Sequence, residues 1–141
     1  MKFREATVED IQAMHVVRMA VKENVLNDPL LVTEDDYIKY LTTHGKGWLC
    51  EVNNEVAGFA IIDTERNNIW ALFVSPEHEG KGIGKNLHDI MLKWFYSLSS
   101  GELWLTTGIN TRAEIFYNKA GWQPGDVKNG ERKFTLSSWE L

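Results

Sequence analysis

Residues 69–85 read IWALFVSPEHEGKGIGK, and this stretch decides the fold. Its first six residues, 69–74, are apolar on both alternating faces, which is typical of a strand covered on both sides of a sheet. Pro76 ends the strand, and a loop rich in glycine leads into a helix. Glycines let neighbouring backbone N–H groups converge, and a helix N-terminus favours negative charge. The stretch therefore predicts a phosphate-binding loop directly after the carboxyl end of a central strand.

Outward from this stretch, hydrophobic periodicity predicts a mixed α/β domain in the order βααβββαβαββ. Before residue 69 we expect a strand over residues 2–6 and two helices, one from the Thr7 capping box to about Asn24 and one after Thr33. Two strands should follow these helices, at residues 48–52 and 56–63. After this stretch we expect a long amphipathic helix from residue 83 to 98, a strand at 103–107, a helix opened by Thr111 and a final hairpin.

Composition limits the classes of protein. The chain has 141 residues, 15 Lys and Arg against 20 Asp and Glu, and a net charge of −5. This length fits one domain, residues 1–141. No apolar run reaches the roughly 18 residues of a membrane span, and scattered basic residues in an acidic chain argue against nucleic-acid binding. The amino terminus lacks an apolar leader, so we expect a cytoplasmic protein.

The single cysteine, Cys50, excludes a disulfide framework and any zinc site built from several cysteines. It lies in an apolar segment and is predicted to be a small buried strand residue rather than a catalytic thiol. His15, His44 and His88 show no spacing that holds a ligand, and His78, beside the loop, either contacts a phosphate or covers it. The sequence therefore predicts no metal site.

Two common phosphate-loop patterns do not fit the glycine loop. The Walker pattern G-x-x-x-x-G-K-[ST] fails because Asn86 follows Gly84-Lys85, and Glu79 stands where its first glycine is required. The dinucleotide pattern G-x-G-x-x-G fails because Lys85 occupies its third glycine position.

The loop is similar instead to the acetyl-CoA loop of the GNAT superfamily of N-acetyltransferases. That pattern is Q/R-x-x-G-x-G/A after a strand ending in Val-x-Pro, and here residues 79–84 read EGKGIG after Val74-Ser75-Pro76. The one departure is Glu79, where the family has Gln or Arg. A carboxylate there faces the negative charge of a pyrophosphate, although the loop binds mainly through main-chain amides.

A second segment carries the resemblance further. Residues 110–122 read NTRAEIFYNKAGW, which resembles the family's N-x-x-A-x-x-F-Y-x-x-x-G-[FW] signature. If the segment is helical throughout, Asn110 and Tyr117 lie within about 20° of each other around the axis and address one ligand. Taken alone, Tyr117 would be a core aromatic with its hydroxyl in water. Two motifs in the right order favour a functional tyrosine.

The resemblance implies that the central strands splay apart to admit acetyl-CoA as the acyl donor. Main-chain groups of one strand would then bind the pantetheine arm, and the loop would bind the pyrophosphate. Tyr117 would be the catalytic residue, donating a proton to the departing thiolate. The implied cofactor-binding residues are Leu72, Phe73, Val74, Glu79, Gly80, Lys81, Gly82, Ile83, Gly84, Lys85 and Asn110.

The implied acceptor is a primary amine of a small molecule or peptide, which must lose a proton before it attacks because an alkyl ammonium has a pKa of roughly 10. Candidate bases on the substrate side are Glu23 and Asp28, with Asp63 or Glu65 as further carboxylates near a strand turn. Deprotonation through water also fits the family. No spacing rule chooses among these groups.

Two other functions stay open at this stage. A non-catalytic acyl-CoA sensor or interaction module would keep the loop without turnover, although Asn110 together with Tyr117 speaks against it. Acetylation of amino groups linked to tRNA would need a basic surface that the composition does not provide. The resemblance also leaves a homodimer open, since dimers are common in such folds.

Overall fold

The computed structural model describes residues 1–24 and 31–139. The elements follow one another as βααβββαβαββ, so the predicted mixed α/β fold class is confirmed. The strands are β1 Lys2–Glu5, β2 Gly45–Val52, β3 Glu55–Asp63, β4 Asn68–Val74, β5 Leu103–Gly108, β6 Gln123–Lys128 and β7 Glu131–Leu136. The helices of the described residues are α1 Ile11–Ala20, α2 Glu34–Leu41, α3 Ile83–Leu98 and α4 Arg112–Lys119.

The strands form one sheet in the order β1-β2-β3-β4-β5-β7-β6. Neighbours are antiparallel except β4 and β5, which are parallel and are joined by the crossover helix α3. Strand β4 therefore lies in the middle of the sheet, as its apolar sequence predicts. The glycine loop follows its carboxyl end directly.

Alternation along the strands divides the core between the two faces of the sheet. In β3, Phe59 and Ile61 pack with α1 and α2, while Ala60 and Ile62 pack with α3 on the other face. All four side chains are fully buried. Burial of a large aliphatic or aromatic side chain contributes about 1.5–3 kcal/mol, so coverage on both faces stabilises β3 within the sheet.

Helix α3 presents one apolar stripe to the sheet. Leu87, Met91 and Phe95 recur every four residues and are buried, as the sequence predicts. His88, beside the stripe, is also buried, and its Nε2 accepts a hydrogen bond from Trp122 Nε1 (3.0 Å). Burial lowers the pKa of His88, so its imidazole is a neutral acceptor that ties α3 to the segment after α4.

The first helix is shorter than its periodicity predicts. It ends at Ala20, and Val21 already has extended backbone. Asn24 adopts a left-handed conformation (φ 55°), and its side chain binds the end of β5: Gly108 N–H donates to Asn24 Oδ1 (2.8 Å), and Asn24 Nδ2 donates to Thr107 Oγ1 (2.9 Å). The helix thus ends before Asn24, which bonds to a strand residue 84 positions away, and local periodicity does not predict such a contact.

Cys50 is fully buried in β2, which confirms its predicted place, and burial raises the pKa of its thiol. Among residues 1–24 and 31–139, no helix combines the length and the apolar character needed to cross a bilayer.

Candidate active site

Strands β4 and β5 meet only at their amino ends. Within the described sheet their ladder consists of one pair, Asn68 with Trp104. Trp104 N–H donates to the Asn67 carbonyl (3.0 Å), and Asn68 Nδ2 donates to the Trp104 carbonyl (3.2 Å). Beyond this point the two strands diverge toward their carboxyl ends, so the predicted splay of the central strands is confirmed.

A bulge in β4 lies close to the point where the divergence begins. Ile61 pairs with Ala71 and Ile62 pairs with Ile69, which leaves Trp70 as an extra residue in β4. A bulge bends its strand and increases its twist. Trp70 comes two residues after the last pairing with β5, so the bulge lies where the pairing of β4 and β5 ends.

A cavity of about 290 Å³ fills the gap between the two strands. An open groove of about 550 Å³ covers the glycine loop and the first turn of α3. Five residues line both spaces, so the groove leads into the gap in the sheet; they are Asn24, Leu72, Phe73, Ala113 and Tyr117.

The glycine loop has the backbone geometry of an anion site. Gly80 and Gly82 have φ of 77° and 79°, a left-handed conformation that side chains disfavour. A Cβ added at Gly80 would meet no heavy atom within 4 Å, so this part of the loop faces open space. Gly82 caps α3 without a side-chain hydrogen bond, and the first amides of a helix have no carbonyl partner within it. These amides lie at the groove and are available to phosphate oxygens.

Most of the predicted cofactor-binding residues line this groove. They are Leu72, Phe73, Val74, Glu79, Gly80, Gly82, Ile83, Gly84 and Lys85. The side chain of Ile83 is buried in the core, so only its backbone is available to a ligand. Lys81 is not among the lining residues, but its Nζ donates to Nδ1 of His78 (3.0 Å), which lines the groove.

Asn110 does not share a helical face with Tyr117, and that part of the prediction was wrong. Helix α4 starts at Arg112, with Thr111 as its cap, and Asn110 precedes it in a left-handed turn (φ 61°). The N–H of Asn110 donates to Glu114 Oε1 (3.0 Å), and Asn110 lines neither the cavity nor the groove. Asparagine tolerates this conformation well, which accounts for the residue at a turn. Its contact with a cofactor stays a prediction.

Tyr117 lies on α4 where the cavity and the groove meet. Its side chain is 5% exposed and packs between Trp122 (ring centroids 5.4 Å apart) and Phe134 (5.8 Å). Burial raises the pKa of its hydroxyl above the usual value of 10.0. The hydroxyl therefore keeps its proton at neutral pH, which is the form that a general acid requires.

The predicted bases on the substrate side have different surroundings. Glu23 lines the groove, and its Oε2 accepts a hydrogen bond from the N–H of Arg112 (2.7 Å) at the start of α4. Asp28 lies outside the described residues. Asp63 is buried at the end of β3 and accepts hydrogen bonds from the N–H groups of Glu65 (3.0 Å) and Arg66 (3.1 Å), so it stabilises a turn.

The site also contains three residues that sequence reasoning missed. Arg112 forms an ion pair with Glu79 and so neutralises the carboxylate that departs from the family pattern. Asn24 ties the segment after α1 to β5. Arg18, on α1, lines the cavity with its guanidinium 4.2 Å from the ring centroid of Phe73. No local pattern marks them, because each partner is remote in the chain.

Comparison with known proteins adds a family match. The model of the acetyltransferase (GNAT) family matches residues 11–122 of this chain. The match includes α1, the glycine loop and α4, and so spans every wall of the cavity described above except β7. No curated protein sequence matches the chain significantly.

Solved structures share the fold over nearly the whole chain. The PaiA N-acetyltransferase from Thermoplasma acidophilum, in complex with coenzyme A, superposes with a TM-score of 0.82 at 15% identity, covering 96% of this chain and 98% of that one. A GNAT-family acetyltransferase from Staphylococcus aureus Mu50 gives 0.81 at 17% identity, covering 95% and 96%. The ribosomal-protein-S18-alanine N-acetyltransferase from Escherichia coli gives 0.76 at 15% identity, covering 99% and 96%. At these identities the likeness shows the fold alone.

Proposed function

The chain belongs to the GNAT family of acetyltransferases, and from this premise we propose that it transfers the acetyl group of acetyl-CoA to a primary amine. The acceptor would be a small molecule or a peptide. One observation carries the proposal: the gap between β4 and β5 opens onto a groove lined by the glycine loop, with Tyr117 at the junction.

The residues present fit acetyl-CoA as the acyl donor. The groove over the loop offers backbone amides at the start of α3, a 16-residue helix, and left-handed glycines that leave those amides uncovered. These are the groups that bind a pyrophosphate. The β4 edge at Leu72, Phe73 and Val74 faces the gap left by β5, so its main chain can bind an extended arm as a neighbouring strand would. When bound, acetyl-CoA supplies the activated thioester.

The proposed transfer balances with Tyr117 as the acid. The amine nitrogen forms a bond to the acetyl carbon, the carbon–sulfur bond breaks, and the leaving sulfur takes the Tyr117 proton. The nitrogen, which attacks as the neutral amine, loses one proton to a carboxylate or to water, and Tyr117 regains a proton from that group, so that the acid is restored. Glu23 and Asp28 remain the proposed carboxylates, with relay through water as the alternative. The products are an acetamide and free CoA thiol.

Release of that thiol tests the function directly. The protein is incubated with acetyl-CoA and a panel of primary amines, while free thiol is followed by absorbance and acetylated product by mass spectrometry. We expect thiol and acetamide in equal amounts. An acyl-CoA sensor would instead show thermal stabilisation by acetyl-CoA with no thiol above the rate of spontaneous hydrolysis, and this result would overturn the proposal.

The ion pair between Glu79 and Arg112 gives a separate prediction for acetyl-CoA binding. Arg112→Ala leaves the Glu79 carboxylate uncompensated beside the phosphate site, and we expect the Kd to rise about fivefold, since an exposed charge contributes up to about 1 kcal/mol. Glu79→Gln in the same chain should restore the affinity, because it removes the repelling charge. Calorimetry on the single and double variants measures both effects.

Glu77→Gln is the matched control for that pair. Glu77 is an exposed carboxylate two residues from Glu79 that does not line the groove, so its loss should leave the Kd unchanged. An Arg112→Ala variant that binds acetyl-CoA as tightly as the original protein would show that Glu79 does not face the phosphates.

A further inference from the structure

The cavity between β4 and β5 has a charged group that the proposed reaction does not use. Arg18, on α1, lines this cavity and is half-buried. Its guanidinium stacks over Phe73, and Nη1 donates to the Asn24 carbonyl (2.8 Å). Burial lowers the pKa of Arg18, which means that the surrounding protein compensates its charge incompletely.

Arg18 differs from the other arginines in its partners. Arg4 pairs with Asp10 and Glu51, Arg66 with Asp63, Arg112 with Glu79, and Arg132 with Glu114. Within residues 1–24 and 31–139, no carboxylate forms an ion pair with Arg18. A guanidinium has five N–H donors, and the hydrogen bond to Asn24 uses one. Donors that suit an anion therefore face a cavity large enough to hold one.

The position of Arg18 places it on the acceptor side of the gap. Phe73 packs with α1 and α2, whereas Tyr117 packs with α3 on the opposite face of the sheet. Both residues line the gap, but Arg18 does not line the groove over the glycine loop. An acyl donor that enters along that groove leaves the Arg18 side of the gap to the second substrate.

The same cavity also carries negative charge. Glu131, the first residue of β7, lines the cavity next to the end of β5. The cavity thus offers a cationic group on α1 and an anionic group on β7. At about 290 Å³ it is at the small end of ligand pockets, so its occupant is small.

We propose that the acceptor is a small amino-carboxylate, whose carboxylate binds the Arg18 guanidinium while its amine lies toward the acetyl group. The inference rests on the proposed function and names the substrate class for it. A planar guanidinium binds a carboxylate with two parallel hydrogen bonds, which fixes the position of the amine as well as adding affinity. A polyamine without a carboxylate would place a second positive charge beside Arg18 and is disfavoured.

Matched acceptors test the substrate class on the unmodified protein. The pairs are glycine and glycinamide, β-alanine and β-alaninamide, and 4-aminobutyrate and its carboxamide, with spermidine as the polycation. We expect kcat/KM to be about 10- to 100-fold higher for at least one carboxylate than for its carboxamide, the range of a charge-assisted hydrogen bond. Equal kcat/KM values within every pair, or a preference for spermidine, would overturn the inference and leave the acetyltransferase proposal standing.

Variants of Arg18 test the residue. Arg18→Gln should raise the KM for the preferred carboxylate about 10- to 100-fold, while the KM for the matching carboxamide and the Kd of acetyl-CoA change little. Arg18→Lys should bring the KM for the carboxylate part of the way back to that of the original protein. Lys39→Gln, which removes one positive charge from the exposed side of α2, is the control and should change neither constant.

The outcomes separate the possible roles of Arg18. If Arg18→Gln lowers activity toward carboxylates and carboxamides equally, or weakens acetyl-CoA binding as strongly, Arg18 only positions the Asn24 segment and the inference is wrong. If circular dichroism shows that Arg18→Gln is misfolded, the inference is decided by Arg18→Lys and by the acceptor pairs measured on the original protein. If no amine releases thiol although acetyl-CoA binds, the proposed function fails, and the substrate class fails with it.

Discussion

Gly82→Val is expected to abolish acetyl-CoA binding, with a rise in Kd of about 100-fold or more, equivalent to about 2.7 kcal/mol. Gly82 has φ 79°, and a β-branched residue there is strained by about 1–2 kcal/mol before any ligand is considered. The added Cβ would meet only Asn86 Nδ2, at 3.8 Å, so the protein itself leaves room for it. The loss therefore comes from a shifted loop backbone and from side-chain atoms over the amides that hold the phosphates. Calorimetric titration with acetyl-CoA measures the change.

Gly121→Val separates that loss from general strain. Gly121 also has a left-handed backbone (φ 91°) and no heavy atom within 4 Å of an added Cβ, but it follows α4 and lines neither the groove nor the cavity. We expect both variants to lose thermal stability, while Gly121→Val keeps its Kd within about twofold. Unchanged affinity in Gly82→Val would mean that acetyl-CoA does not bind at this loop.

Tyr117→Phe is expected to lower kcat by about 100-fold or more, the lower end of the contribution of a general acid. The Kd of acetyl-CoA should stay close to that of the original protein, because phenylalanine keeps the ring between Trp122 and Phe134. Burial raises the pKa of Tyr117 above its usual value, so the hydroxyl stays protonated as the pH rises. The rate of the original protein should therefore increase as the amine loses its proton, with no decline below about pH 10. Steady-state rates measured across pH give both the fall in kcat of the variant and the pH dependence of the original protein.

Tyr96→Phe is the matched control for this substitution. Its hydroxyl donates to the Leu136 carbonyl (3.0 Å), burial raises its pKa as well, and it lines neither the cavity nor the groove. Loss of this hydroxyl should cost about 1 kcal/mol of stability and leave kcat unchanged. A Tyr117→Phe variant with the kcat of the original protein would exclude Tyr117 as the proton donor.

Arg112 shows how the fold can compensate for a residue that departs from a family pattern. Glu79 alone places a negative charge in a phosphate loop. Arg112, the first residue of α4, lies 33 positions further along the chain and supplies the opposite charge. The backbone N–H of Arg112 also donates a hydrogen bond to the Glu23 carboxylate. The loop, α4 and the segment after α1 are thus joined at one corner of the groove. We therefore expect acetyl-CoA affinity to depend on all three, and not on the loop motif alone.

The order of the elements, the central place of β4 and the loop that follows it can all be predicted from the amino-acid sequence. Each of these depends on residues close together in the chain: apolar residues alternating along β4, a stripe repeating every three or four residues along α3, and glycines that reach left-handed backbone. Interactions over such short separations appear directly as patterns in the sequence.

The width of the site and the charges that line it depend on contacts that form only in the folded chain. Asn24 bonds to Gly108 beyond the end of α1, and a bulge at Trp70 lies where β4 and β5 stop pairing. A turn before α4 separates Asn110 from the helical face of Tyr117. Arg18 joins the same cavity only because α1 packs over Phe73. These features come from contacts between elements far apart in the chain, and neither spacing nor composition records such contacts.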